Sequence, residues 1–246
     1  MPFTGSHPAA VLPFLGTPLP ASALVIGSMA PDIPYYLPFQ PALYTHTALS
    51  IVTTDLLLGA LAWSVWHGLL APPALSAAPR ALRARLADVP FGLSTRLSGT
   101  RSVLLAVGAL VLGSATHVLW DEFTHPRRWG TEHLPALAEN WGPLPGYRWL
   151  QYLSGLLGGL VLVAWLVRWL VRTPVHPGTD RYAPWWPWAV VVGVGGVAGG
   201  AGAAPASGLG AAGFAGATWA GGAALGVALV LALAWHVARA RARGPG

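Results

Sequence analysis

Residues 102–124 read SVLLAVGALVLGSATHVLWDEFT, an apolar run with no charge before Asp121. A helix of that length rises about 1.5 Å per residue and crosses the roughly 30 Å hydrocarbon core of a bilayer. Three more blocks share its length and apolar character: Ala48 to Leu70, Trp149 to Val171, and Leu209 to about Val237. A fifth, Trp186 to Ala204, is long enough but interrupted by repeated Gly. Only 9% of the 246 residues are charged and 54% are hydrophobic, against roughly 25% charged in an ordinary soluble domain. The fold these blocks predict is all-α, a polytopic membrane helical bundle of about five spanning helices.

Ahead of the first clear span, Pro8 to Ala30 is apolar but divided by Thr17, Pro18 and Pro20 into two stretches, each too short to cross a bilayer. Two readings stay open. One kinked span would put His7 and Asp32 on opposite sides, whereas a broken or re-entrant hairpin would return Asp32 to the side of His7. The hairpin is favoured, because irregular backbone at membrane depth is tolerated where it lines a protein cavity. The stretch Met1 to Gly16 has no basic residue and contains Pro2, Pro8 and Pro13, so it does not read as a cleaved leader.

The formal net charge is +6, and all fourteen basic residues are Arg. They cluster between the apolar blocks, a pattern of membrane topology and not of nucleic-acid binding. The linker from Ala71 to Arg101 carries Arg80, Arg83, Arg85, Arg96 and Arg101 against Asp88, which predicts a cytoplasmic position. Alternation then puts Asp121 to Arg148 outside, with Asp121, Glu122, Glu132 and Glu139. It puts Arg168, Arg172, Arg181 and the tail with Arg239, Arg241 and Arg243 inside. Trp120, Trp149, Trp185, Trp186 and Trp188 stand at block edges, where an amphipathic ring suits the headgroup layer. The sequence divides into a membrane module, 1–175, and a Gly/Ala-rich helical hairpin with an Arg-rich tail, 176–246. Small residues four apart in that hairpin predict close helix packing. Gly208, Gly210 and Gly213 have the spacing of a dinucleotide fingerprint, but no strand precedes them and no acid follows about twenty residues on.

The chemistry concentrates in THVLWDEFTHP, residues 116–126. Residues four apart share a helix face, so His117 and Asp121 can hold one divalent cation together. His125 continues the stripe and can join them only if the helix ends first. Pro126 supplies that ending, since the residue before a proline is pushed out of helical geometry. The bland alternative is an interfacial histidine above a solvated acidic cap. Against it stands the company of His7 in SHP, Asp32 in GSMAPD and His46 in THT, all at block ends and all on the outer face under the hairpin reading. Asp121 and Glu122 are the candidate catalytic carboxylates, and His7, Asp32, His46, His117, Asp121 and His125 the candidate metal ligands. Cysteine is absent, and histidine with carboxylate suits zinc first. Asp55, in the first span, is weighed between a functional acid and a carboxyl bonded to Ser or Thr that fastens helices. His67, His176 and His236 are expected at the membrane interface, and His133 in a solvated loop.

The opening MPFTGSHPA, then GSMAPDIPYY, THT, HVLWDEFTH and YRWLQY resemble a bacterial membrane family of unknown function, over about residues 1–175. More distantly, the order His, Pro-Asp, Thr-His, His-x-x-x-Asp is similar to membrane-bound metal-dependent hydrolases and, more faintly, to zinc-dependent phospholipases C. That similarity implies His7, Asp32, His46, His117 and Asp121 as ligands. The chain departs from the pattern at Pro34, where an acid often follows Pro-Asp-x, and lacks an Arg before Thr-His. The resulting expectation is a metal-dependent hydrolase in the cell membrane, acting on a lipid or other membrane-associated ester. Its rival is a non-catalytic membrane protein.

Overall fold

The computed structural model describes residues 4–39, 41–87, 89, 91–176 and 184–243. Asp88 and Arg181, two of the residues used above to assign sides, lie outside the described residues. A 3-10 segment, Thr4–Phe14, precedes α1 (Ala21–Gly27), and a second, Ala30–Tyr36, follows it. A short 3-10 turn at Ser50–Val52 leads into α2 (Thr54–Val65), a π-helical turn at Trp66–Leu70 and α3 (Ala71–Ser76). Next come the small helices α4 (Arg80–Arg85) and α5 (Leu93–Arg96), then the long α6 (Thr100–Thr124). Short helices α7 (Trp129–His133) and α8 (Pro135–Ala138) and a two-residue β-hairpin, β1 (Asn140–Trp141) with β2 (Leu144–Pro145), fill the next loop. The chain ends with α9 (Gly146–Arg172), α10 (Trp186–Ala203) and α11 (Leu209–Arg243).

Five helical stretches are long and apolar enough to cross a membrane: Ser50–Ser76, Thr100–His133, Gly146–Arg172, Trp186–Ala203 and Leu209–Arg243. The protein is a multi-pass helical membrane protein. On α9, Leu153, Leu156, Leu160, Val163 and Val167 all stand exposed. A soluble protein rarely displays such a stripe, and hydrocarbon is the medium that accepts it.

The chain forms two compact units. The first comprises residues 1–34, 41–63 and 98–171. Pro8 to Ala30 is not one helix there. The break at residues 15–20 turns the chain back, so that α1 lies along α6 while the 3-10 segment Thr4–Phe14 packs on both. Glycine makes the α1–α6 contact possible. A Cβ on Gly113 would come within 2.6 Å of the Ser28 backbone nitrogen, and one on Gly27 would run into the Leu110 carbonyl. Ser114 Oγ donates to the Gly27 carbonyl at 3.1 Å across the same crossing. Trp63 Nε1 donates to Ser22 Oγ at 3.0 Å.

The second unit comprises residues 35–40, 64–97 and 172–246. Its centre is the α10–α11 pair. Gly199 and Gly216 face each other's helices at distances a Cβ would tighten to 3.1–3.2 Å, and Gly195 faces Ala220 and Ala224. The small residues therefore pack helix on helix. Helix, not strand, precedes Gly208, so the glycine spacing there carries no nucleotide fingerprint. His67, expected at the interface, is instead buried in the π-helical turn. His236 stays half-buried, with Nε2 3.0 Å from the Leu69 carbonyl.

Candidate metal centre

His117 and Asp121 lie in the last two turns of α6, and their Nε2 and Oδ2 atoms are 3.5 Å apart. The hairpin brings His7 from the first 3-10 segment and Asp32 from the second to the same place. His7 Nε2 is 3.9 Å from Asp121 Oδ1, and His117 Nε2 is 3.7 Å from Asp32 Oδ1. His46, from the loop before α2, closes the ring at 3.1 Å from Asp32 Oδ1 and 3.5 Å from Asp121 Oδ2. All five residues are buried.

Two overlapping triplets, His7–His117–Asp121 and Asp32–His46–His117, each bring one ligand atom per residue within 4.8 Å of the others. Atoms bound about 2.0–2.2 Å from a shared zinc lie roughly 3.3–3.5 Å from one another in tetrahedral geometry. The ring's N···O distances of 3.1–3.9 Å stand close to that spacing, so these residues could hold an ion. The Nε2 atoms of His7 and His117 are sealed from solvent and make no hydrogen bond. Buried polar atoms are rarely left so, because each costs about 1–3 kcal/mol. A cation among them and the carboxylates would satisfy both.

Outer contacts hold the ring in shape. His117 Nδ1 donates to the Ser28 carbonyl at 2.7 Å, which turns Nε2 toward the carboxylates. Thr4 Oγ1 donates to Asp32 Oδ2 at 2.5 Å, and Thr45 Oγ1 meets His46 Nδ1 at 2.8 Å. His46 has φ +62°, the left-handed region that non-glycine residues seldom enter. It is kept there from two directions. Arg128 donates to its carbonyl at 2.6 Å. On the other side Thr47 and Ser50 exchange backbone-to-hydroxyl bonds of 2.9 and 3.0 Å, and Ser50 Oγ donates to Asp55 Oδ2 at 2.6 Å. Asp55 thus lies in the first turn of α2 with Ser50 as its partner, which is the hydroxyl-bonded carboxyl of the two readings. Burial, with the His117 ring stacked 3.7 Å away, lowers the His7 imidazole to about 4, so it is neutral at pH 7. Burial raises the Asp32 carboxyl, but its bond from His46, the His117 charge and the Thr4 bond outweigh that and hold it below the usual range.

A family described as Domain of unknown function (DUF4184) matches residues 1–236. The chain belongs to this family. The match runs past residue 175, where the sequence motifs end, and takes in every residue of the ring. No curated protein and no solved structure matches the chain.

The remaining sequence candidates sit around the ring. The helix does end before Pro126: Thr124 is the last residue of α6, and His125 is extended at φ −126°, ψ 148°. That turn swings His125 Nδ1 to 3.4 Å from Asp121 Oδ1, while neither ligand triplet includes it. Glu122 points away, accepting from Arg128 at 3.4 Å and from the Trp129 N–H at 2.9 Å. It acts on the ring only through Arg128 and the His46 carbonyl. His133 is exposed and stacks on Trp129, 4.9 Å between centroids. Gln151, quoted above only within a motif, is fully buried in α9. Its Oε1 accepts from Arg148 at 2.9 Å, which turns its amide nitrogen to the Thr124 carbonyl at 3.2 Å and His125 Nε2 at 3.3 Å. A buried amide in an otherwise apolar span was the signal for it. Thr4, Ser28 and Thr45 left no such signal, since their role exists only across the fold.

The Glu122 geometry carries a prediction. Glu122→Gln keeps an acceptor for Arg128, so the metal stoichiometry of the purified protein should be unchanged and the affinity weakened by no more than about tenfold, the lower end of outer-shell effects. Metal titration with a competing chelator measures it, and loss of the bound ion would show that Glu122 is itself a ligand.

Proposed function

We propose that the chain is a membrane-embedded, metal-dependent hydrolase acting on a lipid or other membrane-associated ester, with zinc as its ion. The observation that carries this reading is the pair of buried, hydrogen-bond-free Nε2 atoms of His7 and His117 aimed at two carboxylates. The order His, Pro-Asp, Thr-His, His-x-x-x-Asp in the sequence, which resembles that of membrane-bound metal-dependent hydrolases, is in keeping with it. His7, Asp32, His46, His117 and Asp121 would hold the ion. Bound there, a divalent cation supplies Lewis-acid polarisation of a carbonyl or phosphoryl oxygen and acidifies a water. The protein's own part is to orient and to exclude water. The Ser28 carbonyl fixes His117 Nδ1 as a donor, Thr4 holds the Asp32 carboxylate and Thr45 anchors the His46 ring, and Asp121, with one oxygen toward His46 and His117 and the other toward His125, is the carboxylate with access to the ring's edge.

Detergent-purified protein should hold about one equivalent of zinc, removable by a chelator. It should hydrolyse bis-p-nitrophenyl phosphate or a long-chain p-nitrophenyl ester only when loaded. Protein that takes up no metal would favour the non-catalytic rival, in which these residues only shape the packing of the re-entrant segment.

The Arg distribution supports an outer-face position for the ring. Cysteines introduced at Arg85 and Arg241 should be shielded from an impermeant thiol reagent in intact cells, and one at Glu132 labelled. Labelling at 85 but not at 132 would move the ring to the cytoplasmic face.

A further inference from the structure

The second unit contains a slot of about 480 Å³, open along one side and walled by Trp66, Leu70, Trp186, Val191, Ala232 and Trp235 among others. The volume is that of a ligand pocket, and its lining is almost entirely apolar and aromatic. Of the few polar groups there, Trp188 Nε1 donates to the Ala77 carbonyl at 2.8 Å and Ser76 Oγ to the Pro73 carbonyl at 2.8 Å. The margin of the slot is different. The Arg239 guanidinium lies 4.9 Å over the Trp235 ring and has no acidic partner among the described residues. Arg83 reaches another edge, donating to the carbonyl of the lining residue Ser76 at 3.2 Å. The described residues of this unit include eight Arg and neither Asp nor Glu.

An apolar slot in a membrane-crossing unit, with a guanidinium stacked at its margin and no carboxylate paired with it among the described residues, is complementary to one kind of molecule. We infer that this slot binds an anionic glycerophospholipid, with an acyl chain between α3, α10 and α11 and the headgroup phosphate on Arg239. The stacked Trp235 holds the guanidinium in place, and Arg adds a forked donor set matched to phosphate. The inference is independent of the hydrolase reading, because every residue it uses lies in the second unit.

The test is native mass spectrometry of the full chain released from nanodiscs of equimolar phosphatidylglycerol and phosphatidylcholine. Wild type should retain one phospholipid, with phosphatidylglycerol favoured about fivefold, as one surface Arg contributes. Arg239→Gln should keep a bound lipid but lose the preference, and Ala232→Phe, which fills the slot, should lose the lipid. Equal retention of the two lipids by wild type, an unchanged preference in Arg239→Gln, or no retained lipid at all would overturn it. Arg239 is exposed near the end of α11, so its variant keeps the test open should Ala232→Phe fail to fold.

Discussion

Asp121→Ala is expected to abolish metal binding by the purified protein, with a loss in affinity of more than about a hundredfold, beyond the range seen for outer-shell changes. Asp121 is the hub of the ring. Its two oxygens face four imidazoles, those of His7, His46, His117 and His125, at 3.4–3.9 Å. Removing the carboxylate leaves Asp32 as the one carboxylate among the ring's imidazoles. Insertion should survive, because Asp121 lies near the end of α6 and outside the lipid-facing stripe. The readout is metal content together with monodispersity in detergent. Folded protein with full metal content would remove Asp121 from the ligand set and with it the hydrolase proposal.

The second large effect concerns backbone packing and has an internal control on the same helix. A helical Gly→Ala change in open space gains about 0.8–1.0 kcal/mol from propensity. At Gly108 the added methyl meets only Leu19 Cδ2 at 3.9 Å, so Gly108→Ala should be neutral or stabilising. At Gly113 the same methyl would meet the Ser28 nitrogen at 2.6 Å and the Leu24 carbonyl closer still. These are backbone atoms that cannot rotate away, so overpacking should cost about 1–3 kcal/mol or more. It should also act at a distance. Pushing α1 off α6 withdraws the Ser28 carbonyl from His117 Nδ1, so metal affinity should fall in Gly113→Ala and hold in Gly108→Ala. Heat inactivation in detergent and a chelator titration read the two effects separately. If Gly113→Ala binds metal as wild type does, the α1–α6 crossing does not position the ring.

Much of the fold was legible in the chain because its signals are local. The length of an apolar block is set by bilayer thickness, and five blocks read as five helices without any knowledge of their packing. Pro126 ended α6 by the steric rule that acts on the residue before it, which is why the extended turn at His125 could be foreseen. The pairing of His117 with Asp121 followed from helical periodicity.

What the sequence by itself determined is therefore the number of spans, their approximate ends and the helix face shared by His117 and Asp121. Whether Pro8 to Ala30 crosses or turns back was left open, since prolines forbid a straight helix without choosing the alternative. Tertiary structure chose, by letting Gly27 and Gly113 bring two backbones into contact. Only that contact carries His7 and Asp32, 25 residues apart in the chain, to the end of α6. The left-handed His46, the burial of His67 and the turning of Glu122 toward Arg128 belong to the same class. Each is decided by a partner distant in sequence, and local propensity holds no information about such a partner.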